Sequence, residues 1–214
     1  MGTAAATWIV EDPRLELVSS LGRSDNWDGL AQAEVVLDLT RAGSGAEHGH
    51  RALAMGLRPV IGTSGVTMDE VAELDRDARE RGLGGAVVPN FSRAMLLLKR
   101  VAAAATEFPG ELNLTEAHRR GKPDAPSATA TELASQLGLS PSQVLSIRAD
   151  GITAVHELRL SGGPDFLLMR HESSGLEGFR EGLLASLCFA LTAAGVSYGL
   201  ESILGGACKL ESDA

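Results

Sequence analysis

No run of about 18 apolar residues occurs anywhere in the chain, so no stretch of it reads as a membrane-spanning helix. The N-terminus lacks a positive segment followed by an apolar core, so a secretory signal is not expected either. Excess positive charge is also missing. Nineteen Lys and Arg stand against 28 Asp and Glu, a formal charge of −9, and this balance excludes a general binder of nucleic acid or of anionic membranes. Cysteine is scarce. Cys188 and Cys208 have no metal-ligand spacing with a histidine, so neither a disulfide framework nor a metal site is expected, and both thiols fit a reduced, cytoplasmic protein.

What the 214 residues do contain is enough apolar side chain, 44%, for a core serving one large or two small domains. Leu15-Glu-Leu-Val-Ser19 reads as a strand. Ala33-Glu-Val-Val-Leu-Asp-Leu-Thr40, Arg58-Pro-Val-Ile-Gly-Thr63 and Gly85-Ala-Val-Val-Pro89 are nearly continuous aliphatic runs, as expected of strands buried on both faces of a parallel sheet. Helical segments lie between them, near 45–56 and 67–82. The second opens with Thr67 and, three residues on, Glu70, a capping box. This alternation predicts a parallel α/β sheet with function at the carboxyl ends of its strands. A helix over 92–108 supplies core. Beyond it the pattern changes to strands near 144–148, 155–160 and 166–171, joined by Asp150-Gly151 and Gly162-Gly163-Pro164 turns, which suits an antiparallel sheet. A long helix is expected from about 176 to 194. The first few residues and the segment 205–214 read as disordered ends.

Between the two patterns lies the densest chemistry of the chain. Glu116-Ala-His-Arg-Arg-Gly-Lys-Pro-Asp-Ala-Pro-Ser-Ala-Thr-Ala-Thr131 gathers one imidazole, three cations and two carboxylates, and follows the strand-like run 111–115. Pro123 and Pro126 forbid a regular helix between them, so the stretch reads as a stiff loop that sets His118 and Lys122. Ser127 and Thr129 can cap the helix that follows, whose free N–H groups would face an anion. Arg119, Lys122 and the helix start over Ser127, Ala128 and Thr129 then make a carboxylate site, with His118 as proton donor.

This stretch resembles the signature of the dihydrodipicolinate reductases, Glu-x-His-His-x-x-Lys-x-Asp-Ala-Pro-Ser-Gly-Thr-Ala. Glu116, His118, Lys122, Asp124, Ala125, Pro126, Ser127, Thr129 and Ala130 match in register. The ends of the earlier strands, Asp38-Leu-Thr-Arg41, Gly62-Thr-Ser-Gly65 and Pro89-Asn-Phe-Ser92, resemble that family's Asp-Phe-Thr, Gly-Thr-Thr-Gly and Pro-Asn-Phe-Ser-like segments in the same order. So do Arg148-Ala-Asp-Gly151, His156, His171 and the helix with Phe179 and Gly182. The resemblance implies a truncated Rossmann-like parallel sheet domain over 1–92. It implies a C-terminal α+β domain over 93–204, with an open and mostly antiparallel sheet used for a homodimer or homotetramer. The helix near 175–204 has the alternative of packing back on the first domain. His118 and Lys122 take the family's proton-donating places. His156 and His171 take structural ones.

Several family features differ. The Gly-x-x-Gly-Arg-Met-Gly turn that holds a dinucleotide pyrophosphate does not occur, and the N-terminus is expected to enter at what would be the end of the family's first helix. The second histidine of the signature is Arg119, its glycine is Ala128, and a downstream arginine is Leu176. These departures favour a non-redox enzyme on a reductase scaffold, one that cyclises, isomerises or dehydrates a small anionic carboxylate- or imine-bearing substrate in specialised metabolism. No cofactor is expected on that reading. The alternative is a reductase that binds NADPH or NADH through Thr40, Arg41, Gly62, Thr63, Ser64, Gly65, Asn90 and Phe91. A second alternative is a catalytically dead assembly subunit.

Overall fold

A computed structural model describes residues 1–22, 25–107 and 110–204. The expected tail 205–214, Cys208, Arg23 and Phe108 lie outside the described residues. The described chain forms two compact units, one from residues 1–91 and 179 onward, the other from residues 92–178.

The first unit opens with a helix, α1 (Gly2–Glu11), which buries Ala5, Trp8 and Ile9. This corrects the disordered start expected from the sequence: three side chains spaced three and one residues apart give the segment a face to bury. Strands β1 (Val35–Asp38), β2 (Arg58–Ile61) and β3 (Gly84–Val87) alternate with α2 (Gly45–Ala54) and α3 (Met68–Glu80). They pair in parallel in the order β1-β2-β3-β8, where β8 is Gly195–Tyr198. Leu15–Ser19, expected as a strand, belongs to no sheet among the described residues. Its alternation of half-buried and exposed positions has the right period, but no neighbouring backbone pairs with it, and a strand exists only through its ladder.

Thr67 caps α3 as expected. Its side chain accepts from the Glu70 N–H, and the Glu70 carboxylate accepts from the Thr67 N–H at 2.7 Å. Leu53, Ile61, Val71, Leu74, Ala78, Val87 and Val196 form the core on the α2/α3 side of the sheet. On α6 (Arg180–Thr192), Gly182 lies so close to the Phe91 carbonyl that a Cβ there would clash with it. The short α7 (Gly199–Leu204) ends the described chain.

The second unit begins with α4 (Arg93–Ala105), capped by Ser92, whose Oγ accepts from the Met95 N–H. Strand β4 (Glu111–Arg119) follows, then α5 (Ala128–Gln136), β5 (Val144–Ala149), β6 (Ala154–Gly162) and β7 (Asp165–Ser173). The sheet order is β5-β4-β6-β7, with β4 and β5 parallel and the remaining pairs antiparallel. One face carries Leu114, Leu158 and Leu160, which pack with Met95, Leu98, Leu133 and Leu137 of the two helices. A fully parallel sheet would need a helical crossover at every step; here two short turns suffice. The α/β class, with a parallel sheet and a mostly antiparallel second sheet, is thus the observed architecture.

Candidate active site

The signature does not begin in a loop. β4 continues through Glu116 and His118 to Arg119, because Pro123 constrains only itself and its immediate predecessor and cannot reach back that far. The period of two in a strand then puts Glu116 and His118 on the same face as Leu114, the buried one. Register supplies their neighbours. Ser146 and Arg148 of β5 lie opposite Glu116 and His118, and His156 of β6 lies opposite Glu116, with His171 of β7 opposite His156.

Glu116 is fully buried. Its Oε1 lies 2.7 Å from Arg148 Nη1, and its Oε2 lies 3.0 Å from His118 Nε2. The other imidazole nitrogen of His118, Nδ1, is 3.2 Å from the Thr153 carbonyl oxygen. A carbonyl can only accept, so Nδ1 carries a hydrogen. If Nε2 then bore a bare lone pair toward a carboxylate oxygen at 3.0 Å, the contact would be repulsive; one proton between His118 and Glu116 removes the conflict. Burial pushes the His118 pKa below the ordinary imidazole value, with the Glu116 charge opposing and Lys122 and Arg148 assisting. An imidazolium at His118 would therefore release its proton readily.

Behind it, the His156 pKa is lowered to about 4, first by burial and then by its His118 and His171 neighbours. The rings of His118 and His156 are 5.5 Å apart, and those of His156 and His171 6.1 Å. His156 Nε2 faces Ser127 Oγ, the cap of α5, at 3.4 Å, and His171 Nε2 faces Ser92 Oγ, the cap of α4, at 3.2 Å. Each serine oxygen accepts from its helix, which leaves the hydroxyl hydrogen for the imidazole. The donor atoms of Glu116, His118 and His156 lie within 4.8 Å of one another, a spacing that metal ligands can share. Here Arg148 already neutralises Glu116 at 2.7 Å, and a divalent cation would have to enter beside that guanidinium.

The rest of the expected anion site is arranged differently from the sequence expectation. Lys122 is half-buried, and its Nζ pairs with Asp124 Oδ1 at 2.8 Å. Lys122, the main chain of Asp124 and the Ala128 N–H together hold the Asp124 carboxyl below the usual carboxylate range. The start of α5 is therefore not free: Asp124 takes the N–H of Ala128 and Ser127 that of Ala130. Ala128 is exposed, Thr129 half-buried, and Arg119 points from the exposed end of β4. Sequence inspection gave Glu116 and Arg148 no role of their own. The signal was present in the two-residue spacing to His118 and in the strand-like run around Arg148.

In the first unit, Thr40, Arg41, Gly62, Thr63, Ser64, Gly65, Asn90 and Phe91 all follow the carboxyl ends of β1, β2 and β3. The Gly43 N–H donates to the Ser64 carbonyl at 3.1 Å and Thr40 Oγ1 lies 3.0 Å from Ser44 Oγ, so the first two loops are laced together. A Cβ at Gly62 would meet Leu39 at 2.6 Å and Phe91 at 2.7 Å, and Gly65 has φ of +92°. Thr63 Oγ1 is buried without a hydrogen-bond partner. Closely packed glycine turns and an unsatisfied hydroxyl at the strand ends fit a bound nucleotide.

A parallel Rossmann-like sheet in one unit, and in the other a mixed sheet that buries Glu116 beside His118, make the class α/β of the Rossmann-like kind. Models of the dihydrodipicolinate reductase N-terminus and C-terminus match residues 1–91 and 93–204. The chain belongs to the dihydrodipicolinate reductase family. It is 31% identical to the 4-hydroxy-tetrahydrodipicolinate reductase of Lactococcus lactis subsp. cremoris (strain MG1363) over 242 residues, covering 95% of this chain and 93% of that one. The corresponding reductase of Synechococcus sp. (strain RCC307) is 33% identical over 195 residues, covering 79% and 71%. Among solved structures, the dipicolinate-bound dihydrodipicolinate reductase from Paenisporosarcina sp. TG-14 has a TM-score of 0.81 at 25% identity and covers 95% of each chain.

These relatives correct the expectation that no cofactor is needed, since a reductase must consume a reductant. They also favour the reductase alternative over the cyclase or isomerase first expected. No helix of the described residues is long and apolar enough to cross a membrane.

Proposed function

We propose that the protein is an NADPH- or NADH-dependent reductase of a small, unsaturated cyclic dicarboxylate of the dipicolinate type. The observation that carries this is the Glu116–His118 pair, 3.0 Å apart on a buried strand face beside the signature lysine. When bound, a reduced nicotinamide supplies hydride. Thr40, Arg41, the Gly62–Gly65 turn, Asn90 and Phe91 would hold it. His118 donates the proton that balances hydride addition, and Glu116 steadies the imidazolium. Lys122, Arg119 and the α5 start at Ser127, Ala128 and Thr129 bind substrate carboxylate. The Asp124 carboxylate lies where such a group would sit, between Lys122 and the first N–H of α5, so binding exchanges one carboxylate for another.

The test is a calorimetric titration of the purified chain with NADPH and NADH, followed by dipicolinate. Micromolar binding of one nucleotide and of dipicolinate is expected. A protein that binds dipicolinate but neither nucleotide up to millimolar concentration would sink the reductase assignment.

The partner expected is a second copy of this chain, meeting at the outer face of the second sheet. Leu145 and Ile147 of β5 and Phe166 and Leu168 of β7 are all exposed there, 41% to 61%. Between them lie Glu157 and Arg159 of β6, a strip with both signs of charge that can match its own copy. Light scattering should give a dimer or tetramer, and Phe166→Glu with Leu168→Glu should shift it toward monomer. A monomeric parent protein at micromolar concentration would refute the assembly.

A further inference from the structure

We propose that Arg148 is a positioning residue that locks the proton-donating strand and the substrate-binding loop into one geometry. The inference rests on the reading of His118 as the acid.

Arg148 sits on β5 directly opposite His118 in the parallel register. Its side chain, 17% exposed, uses two edges of the guanidinium for two different parts of the site. Nη1 lies 2.7 Å from Glu116 Oε1 and also donates to the Ile147 carbonyl. Nη2 donates to the main-chain carbonyl of Asp124. One end therefore holds the carboxylate that steadies His118. The other holds the backbone of the loop whose Lys122 and Asp124 side chains pair at 2.8 Å. Between β4's end at Arg119 and the cap of α5 at Ser127, the loop is also tied by the Lys122 N–H to the Arg119 carbonyl, the Lys122–Asp124 pair, the Arg120–Asp150 pair and the Ala128 N–H to the Asp124 carboxylate. Among the described residues, this arginine alone reaches from the loop backbone to Glu116. A planar fork with fixed directions can hold both at once. A lysine ammonium at the same place carries the charge but cannot span the two acceptors.

The consequence separates geometry from charge. His118 is faced by Glu116 from its own strand, Arg148 from β5, His156 from β6 with His171 behind it, and Lys122 from the loop. Removing the arginine charge from this set makes the Glu116–His118 couple hold its proton more tightly, so the high-pH fall in activity moves to higher pH. Keeping the charge but losing the fork leaves that limb where it is and loosens the placement of His118 relative to Lys122.

The test compares Arg148→Lys and Arg148→Met with the parent enzyme in steady-state kinetics across pH, alongside dipicolinate calorimetry and thermal melts. Arg148→Lys should lower kcat by up to about a hundredfold, the scale of a misplacement near 1 Å. It should weaken dipicolinate binding while the pH limb stays put. Arg148→Met should add the upward shift of the limb. If Arg148→Met does not fold, because it leaves Glu116 buried without its cation, the lysine variant carries the test. Parent-like kcat and dipicolinate affinity in a folded Arg148→Lys enzyme would overturn the proposal. His118→Gln, run in parallel, separates the two failures. An active His118→Gln enzyme removes the acid assignment itself, whereas a dead one with an unaffected Arg148→Lys removes only the role of the arginine.

Discussion

Replacing His118 with glutamine lowers kcat by about a hundred- to ten-thousandfold, the range that a positioned general acid contributes. Glutamine keeps a hydrogen-bonding group near the Thr153 carbonyl and the Glu116 carboxylate, and so should leave the strand face intact. It has no proton to give at the potential of an imidazolium. KM should change far less, because Lys122 and the start of α5 remain. A steady-state assay with a stoichiometric check of nucleotide oxidation measures both constants. Unchanged kcat would exclude His118 from the chemistry and leave Lys122 as the remaining candidate donor.

The next largest effect concerns stability. His156 is buried, 3% exposed, and its pKa is lowered from 6.5 to about 4. Its folded-state pKa lies below the unfolded one, so as pH falls the unfolded chain takes up the proton first. Stability is then full above about 6.5, declines between 6.5 and 4, and levels off once the folded protein is also protonated. The single group accounts for about 3 kcal/mol over that window. His118 and His171 are shifted in the same direction by burial and add to the slope. Denaturant unfolding of parent and His156→Gln proteins at intervals from pH 7.5 to 4 checks the sign and size. The variant should show a flatter decline, and equal slopes would mean that His156 titrates freely in the folded protein.

Much of the architecture was legible in the residues. The aliphatic runs at 33–40, 58–63 and 85–89 located the parallel strands β1, β2 and β3, and Thr67 with Glu70 marked the start of α3, because burial on both faces and a capping box both leave local signatures. The part that failed depended on partners far away in sequence. Leu15–Ser19 has the period of a strand but finds no ladder, and the four residues of β8 are too few to show a period at all. At the site, the signature located His118 and Lys122, while the prolines after it suggested a loop that in fact starts only beyond Arg119. The ties from Arg148 to Glu116 and to the Asp124 backbone cross 32 and 24 residues of chain. Neither spacing nor composition encodes them, since each depends on the register between β4 and β5.

The first unit is interrupted, whereas the second is a single stretch of chain. On a ribosome the two meet different conditions. Residues 92–178 hold everything their own sheet needs as soon as they emerge, and its hairpin pairings are short in sequence. The strand β3, by contrast, is left with one side unpaired until Gly195–Tyr198 has been made, more than a hundred residues later. During that interval the backbone groups of Gly84–Val87 and the apolar side chains above them are exposed to any other extended segment nearby. Chain-terminating lesions late in the gene, even ones that spare every residue of the acid–base couple, thus leave an open sheet edge in the nascent protein.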